Sequence, residues 1–281
     1  MPHCIPAVLA APAAALRDGD PRQLGGHQLI GRLDRGWGVV YLGTSAAGQP
    51  VTVRVLDARW VTGPAGRSAL VRALLAARRT AGVSWSARVL EVQPDGDPPY
   101  IVSEYVEGTS VRRLVTSLGP FRGPDLDRLA DDSLSALAAL HRAGVAHGTL
   151  TPDAIVLGPE GLRLYDVGIA RFIGAGLPAL DPADGGWWYI DPRILSGQPM
   201  DAAADVFAWA ATLVFAAQGR APFRAPTLEA FVRQVQWADA DLVGLPPAFH
   251  DVLLRCLADD PARRPRPAEV RDELRKVHGL R

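Results

Sequence analysis

The chain has 281 residues, 48% of them hydrophobic, and its 30 basic and 30 acidic side chains leave no formal net charge. Such a composition can bury a sizeable core and offers no basic block for tracking a phosphate backbone, so nucleic acid is excluded as the expected partner. No apolar run reaches about 18 residues, so no membrane insertion is expected, and Cys4 and Cys256 stand too far apart for a metal or redox motif, which points to the cytoplasm.

The start, "MPHCIPAVLAAPAAALRDGD", has an apolar middle but no positively charged lead, and Pro6 and Pro12 interrupt it. Residues 1–21 are therefore expected to form a loose Ala/Pro tail and not a cleaved leader. Next come "HQLIGRL" and "GVVYLGT", two apolar runs joined by a short glycine-containing turn, which read as paired strands. In "PVTVRVLDA", Thr52 and Arg54 alternate with Val51, Val53 and Val55, which predicts a further strand. "SALVRALLAARRTAG" carries Leu70, Leu74 and Ala77 on one stripe and ends at Gly82, as a helix would. "SARVLEVQPDGDPPYIVSEYV" is two strands around an Asp-Gly/Pro turn.

After Gly108 the period changes from two to 3.6. "PDLDRLADDSLSALAALHRAG" spaces Leu126, Leu129, Leu134, Leu137 and Leu140 along a helix. "DAAADVFAWAATLVFAAQG" is nearly apolar all round, which predicts a helix buried on every side. "PPAFHDVLLRCLADDPARRPRPAEVRDELRKV" supplies two more helices around a proline-rich turn. An antiparallel sheet with one helix thus precedes a mainly helical body, an α+β arrangement.

Within this frame several motifs follow one another. "LIGRLDRGWGVVYLG" sits in the first strand pair and "VTVRVL" in the next strand. "IVSEYVEG" closes the sheet, and "HGTLTPDAI" and "YDVGIAR" follow the long helix. "YIDPR", "DVFAWA" and "DPARRP" come later. Together they resemble the eukaryotic-type Ser/Thr protein kinase family in its bacterial, actinobacterial-like form, from about Arg22 to Val277. The resemblance implies a bilobal fold over residues 22–281. Its small lobe would span about 22–105, a hinge about 103–108 and a large lobe about 109–281.

By resemblance, His147 and Val167 would stack between the lobes. Asp205 would anchor the loop around residue 147, and Arg264 matches a late structural arginine. An adenine slot would be lined by Leu33, Val40, Thr52, Glu104, Val106 and Val156. The phosphate machinery fares differently. The family's strand lysine is Arg54, whose planar fork does not deliver a point charge to the same place. The chain's one lysine, Lys276, lies near the C-terminus. The helix glutamate that should hold that lysine aligns with Ala73, in a segment without any acid. The proton-accepting aspartate is Thr149, whose hydroxyl is no general base near neutral pH, and the metal-binding asparagine is Ala154. The first loop glycine is Asp34. Asp166, a weak candidate metal ligand, is intact.

Phosphoryl transfer rests on positioned charge and metal ions, so these replacements predict a pseudokinase. It would be a kinase-shaped regulatory or scaffolding protein that needs no cofactor, binds ATP and magnesium weakly or not at all, and works through a protein partner. The alternatives are a weak or atypical Ser/Thr kinase and a nucleotide-sensing module. An unpaired buried guanidinium is costly, so Arg54 is expected to pair with Asp34 or Asp166 and close the pocket from within. The adjacent Trp187 and Trp188 are expected either to form an interface or to fill the old substrate cleft.

Overall fold

The computed structural model describes residues 13–33, 38–58, 68, 71, 84–148, 150–168 and 186–278. Its first body is a six-stranded antiparallel sheet of β1 (Gln23–Leu24), β2 (His27–Leu33), β3 (Val40–Thr44), β4 (Pro50–Val55), β5 (Val89–Gln93) and β6 (Tyr100–Glu104), in the order β1-β2-β3-β4-β6-β5. The alternation in β4 separates two faces, and both are buried. Val51 and Val53 pack with Leu24, Leu29, Tyr41, Tyr100 and Val102 on the outer side of the sheet. Thr52 and Arg54 occupy the opposite side, each 4% exposed. There Arg54 stands in register with Val40 on β3 and Ile101 on β6, so an arginine sits in the middle of an apolar row.

The expected loose tail of residues 1–21 needs correction at its C-terminal end. Ala14 exchanges both backbone hydrogen bonds with Arg32, at 2.8 and 2.7 Å, which covers part of the β2 edge. Gly31 permits this approach, because a Cβ there would fall 2.6 Å from the Ala14 carbonyl. Asp20 then accepts from Arg32 Nε at 2.7 Å and from the Tyr41 hydroxyl at 2.8 Å, and the guanidinium holds its carboxyl well below the usual carboxylate range. Backbone pairing and one ion pair carry no hydrophobic period, so the segment reads as featureless in sequence.

The second body opens with a small antiparallel sheet, β7 (Thr109–Ser110), β8 (Ile155–Gly158) and β9 (Gly161–Leu164). Seven α-helices follow among the described residues of this body: α1 (Val111–Leu118), α2 (Gly123–Arg142), α3 (Pro192–Leu195), α4 (Ala202–Gln218), α5 (Leu228–Gln236), α6 (Pro247–Cys256) and α7 (Pro267–His278). The bilobal α+β expectation holds. Ser110, Asp201 and Thr227 cap α1, α4 and α5 with side-chain oxygens, satisfying first-turn N–H groups. Every residue of α4 from Ala204 to Ala217 is buried, as its all-round apolar sequence predicts. The five leucines of α2 pack against it in one core, and Asp131 of α2 receives Arg271 and Arg275 from α7. Of the helix expected before β5, only Ser68 and Val71 are described, both helical; Ala73 lies outside the described residues. No helix among the described residues is long and apolar enough to cross a membrane.

Candidate functional site

The inner face of β4 and the turn after β9 meet in the cleft between the two bodies. Arg54 Nε donates to Asp166 Oδ1 at 2.9 Å, and Nη2 donates to Oδ2 at 2.6 Å. This two-pronged contact is the strong geometry of guanidinium and carboxylate. The side chains are only 5% and 9% exposed, so the contact is largely shielded from solvent. Asp166 adopts φ 64°, a left-handed conformation that aspartate tolerates better than most residues. Between the two expected partners of Arg54, the carboxylate in place is Asp166; Asp34 lies outside the described residues.

Of the remaining pocket candidates, Leu33, Val40 and Thr52 share the inward face of the sheet with Arg54, whereas Glu104 is in register with Val51 of the outer face. Leu33 stands opposite Val40, and Val40 opposite Arg54, so these three share one cross-strand row. Thr52 is the next inward residue of β4 and faces Ser103 of β6. Glu104 ends β6, within 3.6 Å of Arg88 and 3.7 Å of Arg163. Val106 and Val156 form a small buried cluster with Ala87 and Tyr165. Gly108 closes this segment onto β8: a Cβ there would fall 2.5 Å from the Leu157 carbonyl. Tyr165 was not singled out from the sequence. Its hydroxyl accepts from the Val106 N–H at 2.8 Å and donates to the Val106 carbonyl at 3.3 Å.

Below the cleft, Asp205 holds the loop that follows α2. It is fully buried and accepts from the backbone N–H groups of His147 and Gly148, both at 2.7 Å, with His141 Nε2 at 2.8 Å. His147 is also fully buried, and burial pushes its imidazole below the ordinary value despite the opposing pull of Asp205 and Asp166. Gly168 donates to the His147 carbonyl at 2.9 Å, which ties the segment containing buried Val167 to this loop. Ala154 is 3% exposed, and its carbonyl accepts from Tyr165 N at 2.9 Å; its methyl group supplies no ligand atom. Thr149 lies outside the described residues.

Asp153, in the same loop, pairs with the first turn of α1. It accepts from Arg112 Nε at 2.6 Å, and that guanidinium lies over the rings of Tyr189 and Phe215 at 5.5 and 5.0 Å. Burial pushes the Tyr189 phenol up to about 12. Arg264 likewise turns inward. It donates to the Ala258 carbonyl at 2.8 Å and to the carboxylate of Asp191, which is 1% exposed and also receives Arg193. The signal in the sequence was an acid two residues before Arg193, in "YIDPR". Trp187 packs edge-on against Phe231 inside the core, and half-buried Trp188 donates to the Ala225 carbonyl at 3.1 Å. Trp187 therefore belongs to the core, and Trp188 packs partly against it. Among the described residues, no three His, Cys, Asp or Glu side chains converge as a metal-binding group.

A model of the protein kinase domain matches residues 76–273. The probable serine/threonine-protein kinase PkwA of Thermomonospora curvata is 33% identical over 265 residues, covering 94% of this chain and 36% of that protein. The serine/threonine-protein kinase AfsK of Streptomyces coelicolor is 30% identical over 258 residues, covering 91% of this chain and 32% of that protein. The chain thus spans about a third of the length of these curated relatives. Among solved structures, the kinase domain of Mycobacterium tuberculosis PknI superposes with a TM-score of 0.69 at 22% identity, over 95% of this chain and all of that one.

Proposed function

The chain belongs to the protein kinase domain family, and from that membership we propose that it is a pseudokinase, a kinase-shaped regulatory or scaffolding module with little or no phosphotransferase activity. The observation that carries this reading is the buried, two-pronged Arg54–Asp166 pair. Transfer requires a cation free to address phosphate and carboxylate oxygens free to hold a metal ion. Here the strand cation and the retained carboxylate engage each other, and Ala154 brings no oxygen to a metal. The residues present do not fit a magnesium–nucleotide complex. The module therefore needs no cofactor, binds ATP weakly or not at all, and acts in the cytoplasm by presenting a fixed surface to a protein partner.

The alternative, a weak or atypical Ser/Thr kinase, draws support from the loop frame kept by Asp205 and from the survival of Asp166. Incubating the purified chain with labelled ATP and generic acceptors separates the two. The expected result is no autophosphorylation and no transfer, and Thr149→Asp alone should not restore either, because these parts act as a unit. A robust rate from the wild type, or from that single variant, would overturn the pseudokinase reading.

A further inference from the structure

β9 alternates in a way that aims Tyr165 into the cleft. Leu162 and Leu164 enter the main core. Arg163 and Tyr165 face the other way, toward the segment that ends β6, where Arg163 reaches Glu104. Tyr165 goes deeper. It is 4% exposed, packed with Ala87, Val106 and Val156, and its hydroxyl engages both backbone polar groups of Val106. A phenol can accept from an N–H and donate to a carbonyl at once, and here it does both on one residue. The next residue faces the same cleft. In an extended strand Asp166 would point away from Tyr165, but its left-handed φ of 64° swings the carboxylate round to Arg54.

We propose that Tyr165 is a built-in occupant of this slot. Its ring fills the space, and its hydroxyl takes the amide edge, that a planar heteroaromatic ligand with adjacent donor and acceptor atoms, a purine, would require. The inference rests on the reading above only for what the slot once held. The ligand site is latent, shut at its base end by Tyr165 and at its phosphate end by Arg54 with Asp166. A ligand must displace a buried ring together with two hydrogen bonds. Its apparent affinity is therefore reduced by the small fraction of molecules in which the ring is out.

Adenosine is the proper probe, because it lacks phosphates and leaves the Arg54–Asp166 pair unaddressed. Calorimetric titration of the full chain compares wild type, Tyr165→Ala and Tyr165→Phe, each checked for folding by thermal melting. Tyr165→Ala should bind adenosine at least ~10-fold more tightly than wild type, the release expected when an occluding group is removed. Tyr165→Phe keeps the ring and should stay close to wild type. If Tyr165→Ala does not fold, Tyr165→Thr carries the same expectation with a smaller packing loss. Wild-type amide exchange at Val106 gives a second readout, and adenosine should not slow it. A folded Tyr165→Ala or Tyr165→Thr that gains nothing overturns the proposal, as does protection of Val106 by adenosine in wild type. Labelled-ATP assays on the same samples keep the two readings apart. Phosphate transfer that appears only in Tyr165→Ala supports the plug and sinks the pseudokinase reading. Unchanged adenosine binding sinks the plug and leaves catalytic silence standing.

Discussion

The Arg54–Asp166 pair can be weighed by a double-mutant cycle built from Arg54→Met and Asp166→Asn. Methionine keeps much of the arginine stem, and asparagine tolerates the positive φ at 166, so neither change adds backbone strain. Each single change removes the Arg54–Asp166 contact and its charge complementarity from a buried position. With side chains 5% and 9% exposed, solvent cannot repair the loss. Removing one partner of a buried pair costs about 3–5 kcal/mol, and in a chain of this size each kcal/mol moves the melting temperature by about 2–4 °C. Either single variant should therefore melt roughly 6–20 °C below wild type. The double variant carries neither charge, and since apolar replacement of a buried pair is often close to neutral, it should lie within about 1–2 kcal/mol of wild type. On these figures the coupling energy is about 4–9 kcal/mol, the sum of the two single losses less the loss in the double variant. Thermal and urea melts of the four proteins measure it. The reasoning is refuted if either single variant melts within about 2 °C of wild type, or if the two losses simply add in the double.

Two further expectations concern the loop below the cleft. Asp205→Ala strips two backbone N–H groups of their acceptor, each such loss being worth about 1–3 kcal/mol, so the urea midpoint should drop clearly; an unchanged midpoint would remove Asp205 from its anchoring role. His147 resists protonation in the folded state because it is buried, whereas the unfolded chain takes that proton near the ordinary value of 6.5. Its folded pKa is thus depressed, and the stability it permits is present above about pH 6.5 and lost as the pH falls toward the folded pKa, at up to about 1.4 kcal/mol per pH unit. Urea midpoints between about pH 7.5 and 5.5 should show this slope in wild type and lose it in His147→Phe; the same slope in both proteins would assign it to another group.

The order of elements was legible because each follows from a local period or a local break. The leucines of α2 and the all-round apolar α4 required no knowledge of their neighbours. The replacements read at Arg54, Ala73, Thr149 and Ala154 rest on residue identity alone, and the loss of activity drawn from them is a proposal. What the sequence withheld depends on direction across long separations. Tyr165 reaches a residue 59 positions earlier, and Arg264 reaches one 73 positions earlier. Nothing in the strings "LYDVG" or "YIDPR" states where a ring or a carboxylate will point. The segment from Ala14 to Asp20 was missed for a related reason, being held by backbone pairing and an ion pair with no apolar period to announce it.

The acids that persist share a physical feature that explains their persistence. Asp205 satisfies two buried backbone donors, and Asp191 neutralises a guanidinium inside the large lobe, so losing either would weaken folding whatever the chain does chemically. Asp166 has no such backbone duty among the bonds described here; its partner is Arg54. An arginine at that strand position therefore gives the carboxylate a use of its own, as the counter-charge to a buried cation. On the proposed reading its survival does not require retained catalysis. The dependence also runs the other way: with the Asp166 carboxylate gone, Arg54 loses its two-pronged counter-charge in a buried position, and the melts of Asp166→Asn and of the double variant measure how much an apolar residue at 54 recovers.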